Sequence, residues 1–419
     1  LPTLHIPDKI LAMKIRSITC FIDPSYPLDG QKLKTADEFL RLAQPAFVEA
    51  GYEVQSSRLA TVPFPNLLPD SKPGELTRLA QQLEVAAGEL GYAYISMGPA
   101  LPSMFESYPT IPEALAATQN TFFSGLMTTA DGKVSLQAIR ECAQVIQRAS
   151  TISLDGFANL RFAALANVPA GAPFFPAAYH QGGEPTFALA TEAADLAVTA
   201  FSHADSLVEA RRNLINAMET NARRLTEAAH QVEQISGVRF GGIDFSLAPF
   251  PDEQISIGTA LEHLGVPALG GHGSLAAAAI LADTMDQAEF KRAGYSGLFL
   301  PVLEDATLAR RAAEGTLQVT DLLLYSAVCG TGLDTIPLPG DASTDQLSAI
   351  LLDLASLSLR LAKPLTARLM PIPGKEAGDP TDFNFNYFAN SCVMALNALP
   401  LIGLLAGRES FELRRRPDR

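Results

Sequence analysis

Cysteine is scarce in this chain, and the little present does not pair. Cys20, Cys142, Cys329 and Cys392 are scattered over 419 residues without a C-x-x-C spacing. That argues against a disulfide framework or a zinc site and favours reduced thiols in a cytoplasmic protein. Positive charge is short as well. Thirty-one lysines and arginines face 45 acids, a formal net charge of -14, so the basic face of a general nucleic-acid binder is missing. The run Arg414-Arg415-Arg416 sits on a tail, residues 408–419, that reads as a solvated end. No apolar run is long enough to span a bilayer. Val393 to Ala406 contains Pro400, so a buried helix is expected there and no membrane partner. The residues before Met13 have no long apolar stretch. They are read as an extension, residues 1–12, with Met13 as a candidate start and no signal peptide. Low-complexity linkers and short repeats are absent too, which points to one cooperative domain over residues 13–407.

What is present is apolar: 47% of the residues are hydrophobic, enough for a large core. Strand-like and helix-like segments alternate. The strand candidates are Ile15–Ile22, Tyr52–Ala60, Ala93–Met97, Thr121–Met127, Ala158–Ala164, Thr186–Ala190, Val238–Leu247, Tyr295–Pro301, Asp334–Pro339 and Ala367–Ile372. Several are continuous apolar runs, as in strands covered on both faces. Leu207 to Ile235 has helical spacing, with Leu207, Ala210, Leu214, Met218 and Leu225 on one stripe. The alternation predicts an α/β fold with a mainly parallel sheet: a single large barrel of about ten strands with outer helices.

Five blocks can carry chemistry. In Gly270-Gly271-His272-Gly273-Ser274, three glycines surround one histidine ahead of a helix from Ser274 to about Met285. Backbone N–H groups at Gly271, Gly273 and Ser274 are therefore candidates to hold an anion. Asp244 and Ser246, two apart in an apolar strand, point to the same side. The plain alternative is a polar strand end facing water. Asp244 with His272 would form a minimal acid/base pair. Glu304 and Asp305 follow an apolar strand, at the carboxyl end where α/β proteins place ligand groups. Asp305 is equally suited to cap a helix over Ala306–Ala313, which leaves Glu304 as the functional candidate. The loop with Cys329 and Asp334 offers a possible nucleophile and a polar group, against the plain reading of Cys329 as a small buried residue. Pro173–His180 forms a shaped loop with His180 at its tip, or simply an exposed loop histidine. No P-loop occurs, and Gly271–Ala276 fits the relaxed G-x-G-x-x-A pattern without the strand and acid spacing of a nicotinamide site.

These stretches together resemble the uncharacterised domain-of-unknown-function 711 family over Met13 to about Leu405. Lys14–Thr19, Gly242–Pro249, Ser296–Asp305 and Ser326–Pro339 carry the resemblance with the two loops above. It implies a barrel similar to that of pyruvate formate-lyase-like glycyl radical enzymes. Cys329 would then occupy a loop comparable to the one bearing their active cysteine. The C-terminal region offers only Gly403 and Gly407, in non-matching surroundings, which disfavours radical chemistry. The expectation is a cytoplasmic hydrolase or lyase acting on a small polar or anionic metabolite. Asp244, His272, Glu304 and Cys329 are its catalytic candidates; Ser246, Gly271, Gly273, Ser274, His180 and Asp334 are candidates for substrate binding. Two alternatives stay open: a non-catalytic metabolite-binding subunit, with a homo-oligomer allowed, and an enzyme holding a divalent metal through Asp244, His272 and Glu304.

Overall fold

A computed structural model describes residues 13–68, 74–328 and 330–415. Among the described residues eleven strands form: β1 Lys14–Ile22, β2 Ser57–Thr61, β3 Tyr94–Ala100, β4 Thr121–Leu126, β5 Lys133–Ser135, β6 Phe162–Ala166, β7 Thr186–Glu192, β8 Arg239–Ala248, β9 Gly332–Pro339, β10 Leu365–Ile372 and β11 Ser410–Glu412. Nine of them make one sheet in the order β8-β7-β1-β2-β3-β4-β6-β10-β9. Six of its eight pairings are parallel; only β1–β7 and β6–β10 are antiparallel. The sheet therefore has two halves. β1, β2, β3, β4 and β6 run one way, and β7, β8, β9 and β10 run the other.

The expected tenth strand, Tyr295–Pro301, is not regular. Its neighbourhood nevertheless reaches both outer strands, since Arg292 bridges to Ile243 of β8 and Pro301 to Asp334 of β9, each in parallel sense. The architecture is barrel-like, with nine regular strands and an irregular segment spanning from one edge to the other.

Side-chain alternation explains the layering. On β1, Ile18, Cys20 and Ile22 belong to the main core, shared with Phe39 and Phe47 of helix Gly30–Glu49. Phe21, between them, packs on the opposite face with Ala60, Phe122, Phe175, Ala178 and Ala188. Small residues on that inner face leave room for a strap, residues 172–180. Strand groups fix it: Ser96 donates to the Ala178 carbonyl at 2.7 Å, Thr19 donates to the Pro173 carbonyl at 3.4 Å, and the His180 N–H donates to the Thr61 carbonyl at 2.8 Å.

The helices cover the outer face. Leu207–Ser236 starts at a Ser206 cap that accepts from the Glu209 N–H and ends at Gly237. Its stripe of Ala210, Leu214, Met218 and Leu225 is buried as the spacing predicts, whereas Leu207 at its start is exposed. The Asp305 cap is also present, accepting from the Thr307 and Leu308 N–H groups ahead of helix Ala306–Ala313.

The helix expected over Val393–Ala406 does not form. Residues 393–402 are irregular, and Leu399, Ile402 and Leu404 are exposed. Pro400 disfavours helical conformation before it and supplies no N–H. The chain instead runs over the surface to β11, which pairs antiparallel with β5. Residues 1–12 and Arg416 lie outside the described residues. Among the described residues, no helix is long and apolar enough to cross a membrane.

Candidate functional site

The inner strap leaves a cavity of about 570 Å³ at one end of the sheet. Because the two halves of the sheet run oppositely, this mouth combines two kinds of strand end. Arg16 of β1, Arg58 of β2, Tyr94 of β3 and Phe122 of β4 come from amino ends; Thr191 of β7 and Asp244, Ser246 and Ala248 of β8 come from carboxyl-terminal halves. The expectation of a site built on carboxyl ends alone is corrected to this mixed rim.

Four charged groups interlock on one wall. Arg368, alone among apolar neighbours on β10, is 4% exposed. Its Nε and Nη2 donate to the two Asp334 oxygens at 2.6 and 2.5 Å, and Nη2 also donates to Glu304 Oε1 at 2.6 Å. The other Glu304 oxygen accepts from Arg16, which also donates to the Pro249 carbonyl at 3.1 Å. Burial acts to raise the Glu304 carboxyl, but Arg16 and Arg368 outweigh it and hold it below the usual range. Burial pushes the Asp334 carboxyl up against the pull of Arg368.

Asp244 is different. It is buried in the wall, and among the described residues no lysine or arginine pairs with it. Its partners are the Tyr295 and Ser296 N–H groups, each at 3.0 Å, and the Ser246 hydroxyl. The loop reaches it through Gly294, at φ 62°, where a Cβ would collide with the Asp244 carboxylate. Burial raises the carboxyl to about 6 despite those three donors.

Not all candidate residues converge here. Asp244, Ser246 and Glu304 line the cavity. Asp334 stands behind it, bonded to Arg368. His180 is buried elsewhere: its backbone meets Thr61, at the far end of β2 from the cavity, and among the described residues its Nδ1 has no hydrogen-bond partner. Burial lowers its pKa.

His272, Gly271 and Gly273 are exposed and do not line the cavity, so the expected pairing of Asp244 with His272 is not formed. Ser274 is buried, yet its hydroxyl accepts from the Gly270 N–H at 3.2 Å and closes its own loop. Gly270 has a backbone reason to be glycine: at φ 101° it lies against the Thr316 carbonyl, where any Cβ would collide. Accordingly, Gly270→Ala should lower the melting temperature by several degrees, whereas His272→Ala should move stability by no more than ~0.5 kcal/mol. Thermal unfolding of the two variants side by side checks this. Cys329 lies outside the described residues. Among the described residues, no three His, Cys, Asp or Glu side chains are grouped to hold a metal ion.

Arg16, Arg58 and Arg368 were absent from the sequence candidates. Arg368 carried a signal, as the one charge in the mainly apolar strand Leu365–Ile372, where a charge needs a partner. Arg16 and Arg58 did not, because Lys14, Ser17 and Thr19 share β1 and Ser57 and Thr61 share β2.

The family model described as "Uncharacterised ACR (DUF711)" matches residues 9–386. The chain belongs to this family. A UPF0210 protein of Pyrobaculum aerophilum is 33% identical over 400 residues, covering 88% of this chain and 86% of that relative. A UPF0210 protein of Acetivibrio thermocellus is 29% identical over 371 residues, 84% of this chain and 81% of the relative. One of Methanopyrus kandleri is 29% identical over 372 residues, 83% and 81%. Membership in the DUF711 family gives no reaction, so function has to be argued from the site.

Proposed function

We propose that the chain is an enzyme that moves a proton on a small anionic metabolite, in a hydrolase or lyase reaction, with Asp244 as the proton-handling group. The carrying observation is that Asp244 is a carboxyl raised to about 6 in the wall of a cavity that is also lined by Arg16, Arg58 and Arg368. A carboxyl with that value is mostly ionised near neutrality and is still basic enough to accept a proton. Arginines beside it favour negative charge that develops as the proton leaves. Removing a proton next to an acidic group begins an elimination; removing one from water begins a hydrolysis. The Ser246 hydroxyl and the two loop N–H groups hold the carboxyl in place, as a base must be held.

A metabolite library screened by thermal shift, with and without divalent metals, followed by mass spectrometry of the hits, tests this. Turnover of an acidic metabolite is the expected result; ligands that bind and are returned unchanged would instead favour a binding subunit. The pH profile follows from the sign of the shift. The base form exists above about 6, so kcat/KM should be flat above that value. Below it, kcat/KM should fall by about tenfold per pH unit.

A further inference from the structure

Among the arginines of the cavity wall, Arg58 is set apart by its partners. Glu304 and Asp334 face Arg16 and Arg368, two carboxylates against two guanidiniums, so that network is neutral by itself. Arg161, also in the lining, donates to the Leu115 and Thr121 carbonyls at 2.8 and 3.2 Å and to the Thr118 hydroxyl at 3.3 Å. Arg58 donates only from Nε, to Ser56 Oγ at 3.0 Å, and among the described residues no carboxylate pairs with it. Of the five N–H donors of a guanidinium, the four at its fork are left for the cavity. Burial pulls this arginine down to about 10, and Arg16 pushes the same way. A cation kept in such surroundings is understandable where an anion arrives to meet it.

The fork is also held still. The Phe175 and Tyr94 ring centres lie 5.1 and 5.8 Å from its central carbon, an arrangement that favours the cation and fixes its plane. A planar fork fixed in this way matches a pair of anionic oxygens. The charge of the lining narrows the choice. Arg58 and Arg161 bring two positive charges and ionised Asp244 removes one, which leaves room for a monoanion rather than a phosphate dianion. Six further aromatic rings, Phe122, Phe157, Phe174, Phe299, Phe385 and Tyr387, line the space, among aliphatic and uncharged polar side chains.

The geometry points to Arg58 as the docking point for the carboxylate of a substrate whose remaining body is apolar and ring-sized, an aryl-substituted carboxylic acid. This rests on the cavity being the site of the proposed reaction, but it does not require Asp244 to move a proton. Titration calorimetry on the full chain tests it with phenylacetate, phenylacetamide, acetate and phenyl phosphate. Phenylacetate should bind about tenfold or more tightly than the neutral amide, and more tightly than acetate or phenyl phosphate. Arg58→Gln should weaken phenylacetate about tenfold or more, leave the amide unchanged, and keep the unliganded melting temperature within about 3 °C. Arg58→Lys keeps the charge without the fork. It should show an intermediate loss, and it decides the matter if the glutamine variant does not fold.

Equal binding of acid and amide, an Arg58→Gln variant that binds as wild type, tighter binding of phenyl phosphate, or no binding of phenylacetate at millimolar concentration would each overturn the assignment. Asp244→Asn separates the two ideas. Phenylacetate binding should survive in it; if substrate turnover also survives, the acid/base reading falls and the Arg58 site stands. If turnover is lost but acid and amide bind alike, the reverse holds.

Discussion

Arg368→Met is expected to destabilise the protein by about 3–5 kcal/mol, the largest stability effect of any single change at the site. The size follows from what is left behind. Asp334 is fully buried, and its two-pronged contact with Arg368 is its ion pair. Glu304 keeps Arg16 but loses its second cation. Methionine replaces much of the volume of arginine, so the loss is chiefly electrostatic rather than a cavity effect. Two controls isolate the cause. Adding Asp334→Asn to Arg368→Met should recover a good part of the loss, because the abandoned charge goes with it. Acidifying should help as well. Without the arginine, burial would raise the Asp334 carboxyl further above its unfolded value. The deficit is then full above that raised pKa and shrinks as pH falls through it, when the carboxyl takes up a proton. Thermal unfolding at several pH values measures both. A loss below ~1 kcal/mol that is insensitive to pH would mean that the four-group network contributes little to holding the rim together.

How far these features could be read from the chain depends on the range of the signal. The Asp305 cap, the Leu207–Ser236 helix and the shared orientation of Asp244 and Ser246 are local, and they appear in the structure as the residue pattern suggests. Strand direction is not local. A run such as Thr186–Glu192 has the same composition whichever way it points. The clue lay in the connection before it, since residues 167–185 contain no helix, while a parallel crossover usually needs one. The glycine block around His272 has two parts. Gly270 marks a close approach of backbone to the Thr316 carbonyl, whereas Gly271, His272 and Gly273 are exposed away from the cavity. The arginines are harder to read. Arg368 is the one charge in its strand, whereas Arg16 shares β1 with Lys14, Ser17 and Thr19 and Arg58 follows Ser57. The three strands are far apart in sequence, and only the strand order brings Arg16, Arg58 and Arg368 around one space.

Asp244→Asn is expected to cut kcat by about a hundredfold or more while leaving substrate affinity within a few-fold, since a general base contributes on the order of 10²–10⁴ in rate. The asparagine has nearly the same shape but cannot take up a proton. Its effect should therefore fall on turnover and not on ground-state binding. The rival account is structural: the hydrogen bonds to the Asp244 carboxylate come from its own strand and from the loop that wraps it. On that account the carboxylate only ties the loop to β8. The amide would turn an N–H toward one of the loop N–H donors, at a cost of about 1–3 kcal/mol, and activity would be lost only as far as the protein unfolds. The pH profile tells the two apart. Wild type should show its acid limb near 6, and the residual activity of Asp244→Asn should show no limb there, because the titrating group is gone. Asp244→Glu, which restores a carboxyl displaced by one methylene, should recover part of the rate together with an acid limb. If the asparagine variant keeps the limb, or loses stability in step with rate, Asp244 is a loop tie and the proton must be moved by another group in the cavity.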